Sequence, residues 1–133
     1  MQKRLVASTN RYLAAAQFRT ALRQFLRKSE IAARAAGVTP NQHLLLLQIA
    51  GAPDGTTTVS ELVGKLALTQ SAVTELVQRA EHAGLVRRAG SRQDARVVHL
   101  SLTPEGEIRL ARVYDELGPE RAELRRVMDA LED

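Results

Sequence analysis

The chain has 133 residues, 44% of them hydrophobic, no cysteine and a net charge of +4. That is enough chain for one globular domain with a real core, and it excludes disulfides, thiolate metal sites and cysteine redox chemistry. No apolar run approaches the ~18 residues of a membrane span, and the opening MQKRLVASTN lacks the apolar block of a secretory signal, so a cytoplasmic protein with no membrane partner is expected.

In chain order, residues 9–36 contain no Gly or Pro and place Leu13, Ala16, Leu22, Phe25, Leu26, Ala32 and Ala33 at helical spacing, which predicts a long helix closed by Gly37. VTPNQHLLLLQIAG then starts a short buried helix, with Thr39 as cap, Pro40 at the first helical position and Gln42 completing a capping box. GAPDGTTT reads as a loop. Thr58 caps the next helix with Glu61 reaching back, and Val59, Leu62, Val63 and Leu66 form its inner face. Only Leu68 and Thr69 separate it from a third helix, TQSAVTELVQRAEHAG, which is capped by Thr69, buries Val73, Leu76, Val77 and Ala80, and ends at Gly84. LVRRAG and ARVVHLSL follow as two extended runs around Gly90–Ser91, with Val98, Leu100 and Leu102 alternating inward. TPEG opens a last helical region that Gly118–Pro119 divides in two. Helix, tight turn, helix and hairpin in this order predict a winged helix-turn-helix, mainly α with a small β-hairpin wing.

Charge is distributed unevenly along these elements. Residues 1–50 carry eight Lys/Arg against one Glu, and residues 104–133 carry five basic groups against nine acidic. The two ends are expected either to pair, within or between subunits, or to form separately solvated faces. On the third helix, Gln70, Ser71, Thr74, Glu75, Gln78, Arg79 and His82 remain outside. An amide and two hydroxyls in the first turn suit base edges in the major groove, and the free backbone N–H groups there attract phosphate. Arg79, Arg87, Arg88, Arg92 and Arg96 stand against Glu81 and Asp94 over residues 79–96, a basic edge of the kind that neutralises phosphates. Asp94, two residues from Arg96 at the expected wing tip, could hold that guanidinium extended toward a narrow minor groove; a solvated surface ion pair is the alternative.

QSAVTELVQRAEHAGLVRR, then DAR, then SLTPEG, resembles the MarR family of bacterial transcriptional regulators. The Asp-x-Arg of the wing, here Asp94 and Arg96, the Gly-Leu-Val after the helix and the Leu-Thr-Pro-x-Gly opening the next one are the family's hallmarks, and VTPNQHLLLL resembles its second helix. The sequence departs at Glu75, where many members are neutral or basic, and at His43, which stands for the usual aromatic. The resemblance implies one domain over 1–133, with a DNA-binding module at 38–103 and dimerisation helices at 1–37 and 104–133. It further implies a homodimer on a palindromic operator, most often acting as a repressor. All four aromatics, Tyr12, Phe18, Phe25 and Tyr114, lie in the two flanking segments.

Expected DNA contacts are Gln70, Ser71, Thr74 and Gln78 from the helix, Arg79, Arg88 and Arg92 to phosphates, and Arg96, aimed by Asp94, in the minor groove. Family members that answer small molecules often bind anionic aromatic compounds between the dimer helices and the DNA module, which makes Tyr12 and His43 the expected ligand-binding residues for an aromatic acid. No metal and no cofactor are expected: His43, His82 and His99 are the only histidines and none has a His-x-x-x-His partner. An enzyme is not expected either, because Cys, Gly-x-Ser-x-Gly and phosphate-cradling glycine patterns are absent, and Glu105/Glu107 and Asp115/Glu116 belong to a solvated helix. The rival reading is an architectural DNA binder without a ligand, or a winged helix used for protein contacts.

Overall fold

The computed structural model describes residues 2–90 and 96–131. Among these, the order is α1 (Gln2–Ala35), α2 (Pro40–Ala50), α3 (Val59–Leu66), α4 (Gln70–His82), β1 (Val86–Gly90), β2 (Val98–Leu102), α5 (Pro104–Glu116) and α6 (Gly118–Asp129), with a 3₁₀ turn at Pro53–Gly55. The architecture is the expected one, mainly helical with a two-stranded antiparallel wing. No described helix is long and apolar enough to cross a membrane.

Four threonines start four helices. Thr39 accepts from the Gln42 N–H at 3.1 Å while Gln42 Oε1 accepts from the Thr39 N–H at 3.0 Å, a complete capping box behind Pro40. Thr58, Thr69 and Thr103 each accept from the N–H three residues on. At Thr58 the expected reciprocal bond does not form. Glu61 turns instead to the hydroxyl of Thr57, which donates to Oε2 at 2.9 Å. The reason is burial: Thr57 is 2% exposed and a buried hydroxyl needs an acceptor. Thr57 is held there by a β-bridge, with N–H···O bonds of 3.1 and 2.7 Å exchanged with Leu100, so the loop before α3 is stitched to β2.

Two boundaries differ from expectation. The first helix begins at Gln2 rather than near residue 9, since residues 2–9 contain no breaker and include the good helix formers Gln, Lys, Arg, Leu and Ala. The α3 helix ends at Leu66, one residue early, because Ala67 takes the left-handed conformation (φ 53, ψ 41). That single residue lets the chain reverse into Leu68 and the Thr69 cap. It costs roughly 1–2 kcal/mol for a residue with a Cβ.

Among the described residues, buried side chains concentrate in two clusters. Leu45, Leu46 and Ile49 of α2, Leu62 of α3, Val73, Val77 and Ala80 of α4, and Leu85, Val86, Leu100 and Leu102 of the wing pack together with Ala33 and Val38. The second cluster joins Ala32 and Ala36 to Val113 and Leu117, with Phe25 against it. Between them lies a close joint. The Thr103 hydroxyl donates to the Gly84 carbonyl at 2.6 Å, and the Thr103 N–H donates to Leu85 O at 3.0 Å. Gly106 then lies so near that a Cβ there would be 2.1 Å from Leu85 O. This is the physical content of Leu-Thr-Pro-x-Gly: the start of α5 rests directly on backbone.

Candidate nucleic-acid interface

α4 is amphipathic by construction. Val73, Val77 and Ala80 are buried, while Gln70, Ser71, Glu75, Gln78, Arg79 and His82 are exposed and Thr74 is half-buried. The wing places its side chains by the period of two. Arg88 pairs in register with Leu100, and so shares the face of Val86 and Leu102 that looks toward α4; Arg87 pairs with Ser101 on the opposite face. From there Arg88 Nε donates to Glu81 Oε2 on α4 at 3.0 Å, and Arg87 Nε donates to the Ser101 hydroxyl at 3.3 Å. Arg79 Nη2 donates to Glu75 Oε1 at 2.6 Å on the helix itself. Both of the described arginines expected to meet phosphates are thus paired with carboxylates of α4.

An open cleft of about 420 Å³ runs between the start of α4 and the wing, and Gln70, Thr74, Arg88 and Arg96 line it together. Thr58, Val59 and Ser60 at the start of α3 line it as well, with Val97, Val98 and Leu100 on the wing side. Sequence reasoning did not reach Thr58, Val59 and Ser60 as site residues; the available signal is the Thr58 cap, which marks the start of α3. Ser71, Gln78 and Arg79 lie on the exposed face of α4 outside this cleft. Arg92 and Asp94 lie outside the described residues.

Tyr12 and His43 are not brought to one cavity. Tyr12 is 73% exposed on α1, whereas His43 is 6% exposed in α2, where burial pushes its pKa below the ordinary 6.5. A cleft of about 560 Å³ lies between α2, β2 and α5 and is lined by neither; its walls include Leu47, Leu110 and Tyr114 with Asp54, Glu107 and Arg87.

A two-helix unit with a three-residue turn, a polar exposed second helix and a basic hairpin beside it define a winged helix-turn-helix protein. The model of the MarR family matches residues 36–97. The HTH-type transcriptional repressor MdtR of Bacillus subtilis (strain 168) is 38% identical over 77 residues, covering 58% of this chain and 48% of the repressor. The YusO protein of Bacillus subtilis has the same fold over all of this chain and 87% of its own, with a TM-score of 0.63 and 26% identity. A mutant MarR from E. coli complexed with operator DNA superposes with a TM-score of 0.67 over 86% of this chain and 79% of its own, at 21% identity. The chain is similar to the MarR family over residues 36–97. It spans about half the length of the curated relatives it matches, and these carry the names of transcriptional regulators.

Proposed function

We propose that the protein is a sequence-specific DNA-binding transcriptional regulator that acts as a homodimer on a palindromic operator, most simply as a repressor. One observation carries this: an amide and a hydroxyl from the first turns of α4 (Gln70, Thr74) and two arginines from the wing (Arg88, Arg96) converge on one open cleft. Uncharged groups there suit base edges, and arginines suit phosphates and the minor groove. α4 would lie in the major groove with Gln70, Ser71, Thr74 and Gln78 against bases, Arg79 and Arg88 near phosphates, and Arg96 beside them in the minor groove. The operator complex of the related fold gives the same kind of partner.

The dimer reading is supported by apolar side chains with no cover in the single chain. Tyr12, Leu13, Leu26 and Ile31 of α1 and Met128 of α6 are each more than half exposed, apolar surface that a partner subunit would cover. A two-fold axis through α1 and α6 would put the two α4 helices roughly 34–36 Å apart, one turn of duplex.

The test is selection of bound sequences from random duplex DNA by the purified protein, with light scattering of the free protein and of its complex. A palindromic motif bound by two chains is the expected result. Failure to retard any duplex at low salt would refute the regulator reading, and a monomer bound to a single half-site would refute the dimer.

A further inference from the structure

Glu75 occupies the centre of the exposed face of α4. At 3.6 residues per turn, Ser71, Glu75, Gln78 and His82 project directly opposite the buried Val73, Val77 and Ala80. A carboxylate at that point is the wrong charge for a surface that docks against phosphates, yet it is not withdrawn. The Glu75 side chain is 62% exposed, and its Oε1 accepts from Arg79 Nη2 at 2.6 Å; Arg79 is itself 72% exposed.

That pairing changes what Glu75 can do. The guanidinium cancels the local charge, so the carboxylate can enter a groove without net repulsion. Arg79 has further N–H donors for a phosphate at the groove edge, and holding Glu75 orients it there. The bond occupies one carboxylate oxygen and leaves acceptor capacity on the other. An acceptor-only group in the major groove needs an exocyclic amino group, which only cytosine and adenine present. Adenine sets its N7 acceptor beside the amino group, an arrangement that an amide satisfies and a carboxylate does not. Cytosine offers its N4 amino group without a neighbouring ring acceptor.

Building on the DNA-binding reading above, we propose that Glu75, oriented by Arg79, selects a cytosine in each half-site and raises specificity by penalising any base that turns acceptors toward it. Glu75 contributes by rejection. Non-cognate DNA meets a carboxylate that must be desolvated without a donor, so the residue lowers affinity for random sequence while keeping affinity for the operator.

Site selection from random duplex with the wild-type chain, Glu75→Ala and Glu75→Gln, followed by fluorescence anisotropy on the enriched site and its single-base variants over a salt series, tests this. The wild type should prefer cytosine at one position per half-site by roughly 5- to 150-fold, the range for a good base contact. Glu75→Ala should make that position indifferent, leave the others unchanged, bind random duplex more tightly and steepen the salt dependence by about one unit as Arg79 is released. Glu75→Gln should move the preference toward adenine. If both variants enrich the wild-type motif position for position, the role of Glu75 is overturned while the regulator reading stands. If the wild type enriches no motif and retards no duplex, both readings fall together.

Discussion

The joint between α5 and the end of α4 makes a substitution that is usually stabilising into a damaging one. Gly106→Ala adds a Cβ 2.1 Å from Leu85 O, and the two backbones must separate by about 0.9 Å to reach even 3.0 Å. The neighbour is a carbonyl, not a flexible side chain, so nothing nearby can rotate away. Separation on that scale stretches the 3.0 Å bond from the Thr103 N–H to Leu85 O and disturbs the Thr103 hydroxyl on Gly84. Overpacking of this kind costs roughly 1–3 kcal/mol, and each weakened hydrogen bond about 1 kcal/mol. The helix-propensity gain of alanine returns at most about 1 kcal/mol. The net expectation is a loss of about 2–4 kcal/mol. Gly64→Ala is the internal control: it lies within α3, and a Cβ there meets nothing within 4 Å, so the same chemical change should stabilise by up to about 1 kcal/mol. Urea unfolding of both variants at one fixed protein concentration gives the comparison. Equal shifts of the same sign at the two glycines would refute the reasoning.

Five further substitutions have expected outcomes. Ala67→Gly relieves the left-handed strain at φ 53 and should leave the protein unchanged or up to about 1 kcal/mol more stable, because the entropy that glycine returns to the unfolded chain offsets part of the gain; a clear loss in the same urea assay would contradict the strain. Arg96→Ala should weaken operator binding by about 1–3 kcal/mol, and Thr74→Ala should relax base preference more than it lowers affinity for random duplex, both read by anisotropy. Removing the exposed Glu81–Arg88 pair with Glu81→Ala should change stability by less than about 1 kcal/mol and steepen the salt dependence of DNA binding by about one unit. Burial holds the His43 pKa below 6.5 in the fold, so the unfolded chain takes up a proton that the fold refuses and stability falls as pH drops through 6.5 toward the folded pKa; His43→Phe should flatten that part of the curve, and an unchanged slope would show that His43 does not cause it.

Much of this molecule is legible in its residues because its signals are short-range. Thr39, Thr58, Thr69 and Thr103 act on N–H groups three positions away, so sequence alone places four helix starts. The wing is legible because Val98, Leu100 and Leu102 alternate on one face. What was missed involves either distance or geometry foreign to the residue type. The Thr57–Leu100 bridge joins positions that only the folded chain brings together, and it is also what diverts Glu61 from its capping bond. Ala67 carries no mark of a left-handed residue; the constraint comes from the helices on either side. The pairing of Arg88 with Glu81 needs the strand register before the face of Arg88 is known. The resemblance places Tyr12 and His43 in one expected crevice, but it does not say that one is exposed and the other buried.

The winged module is fixed to α5 at two separate places. At the start of α5, Thr103 and Gly106 seat it on the Gly84–Leu85 turn that ends α4. Further along, Arg109 donates from Nε to Glu105 at 2.9 Å and from Nη1 to the Gly37 carbonyl at 2.8 Å, which ties α5 to the turn between α1 and α2. Gly37 takes φ 81, and a Cβ there would lie 2.9 Å from Arg109 Nη1, so this second contact is also close. At the first joint backbone rests on backbone and deforms little, since packed interiors switch between discrete arrangements instead of stretching. α4 therefore cannot shift along α5 without breaking one of these joints. At Leu117 α5 gives way to α6 through backbone bonds from the Leu117 N–H to Val113 O and from the Arg121 N–H to Leu117 O, with the Arg121 guanidinium 3.6 Å above the Tyr114 ring. In the proposed homodimer, the spacing of the two α4 helices would then be set beyond the module, where α6 and α1 meet the partner, and each module would move as a unit with its α5.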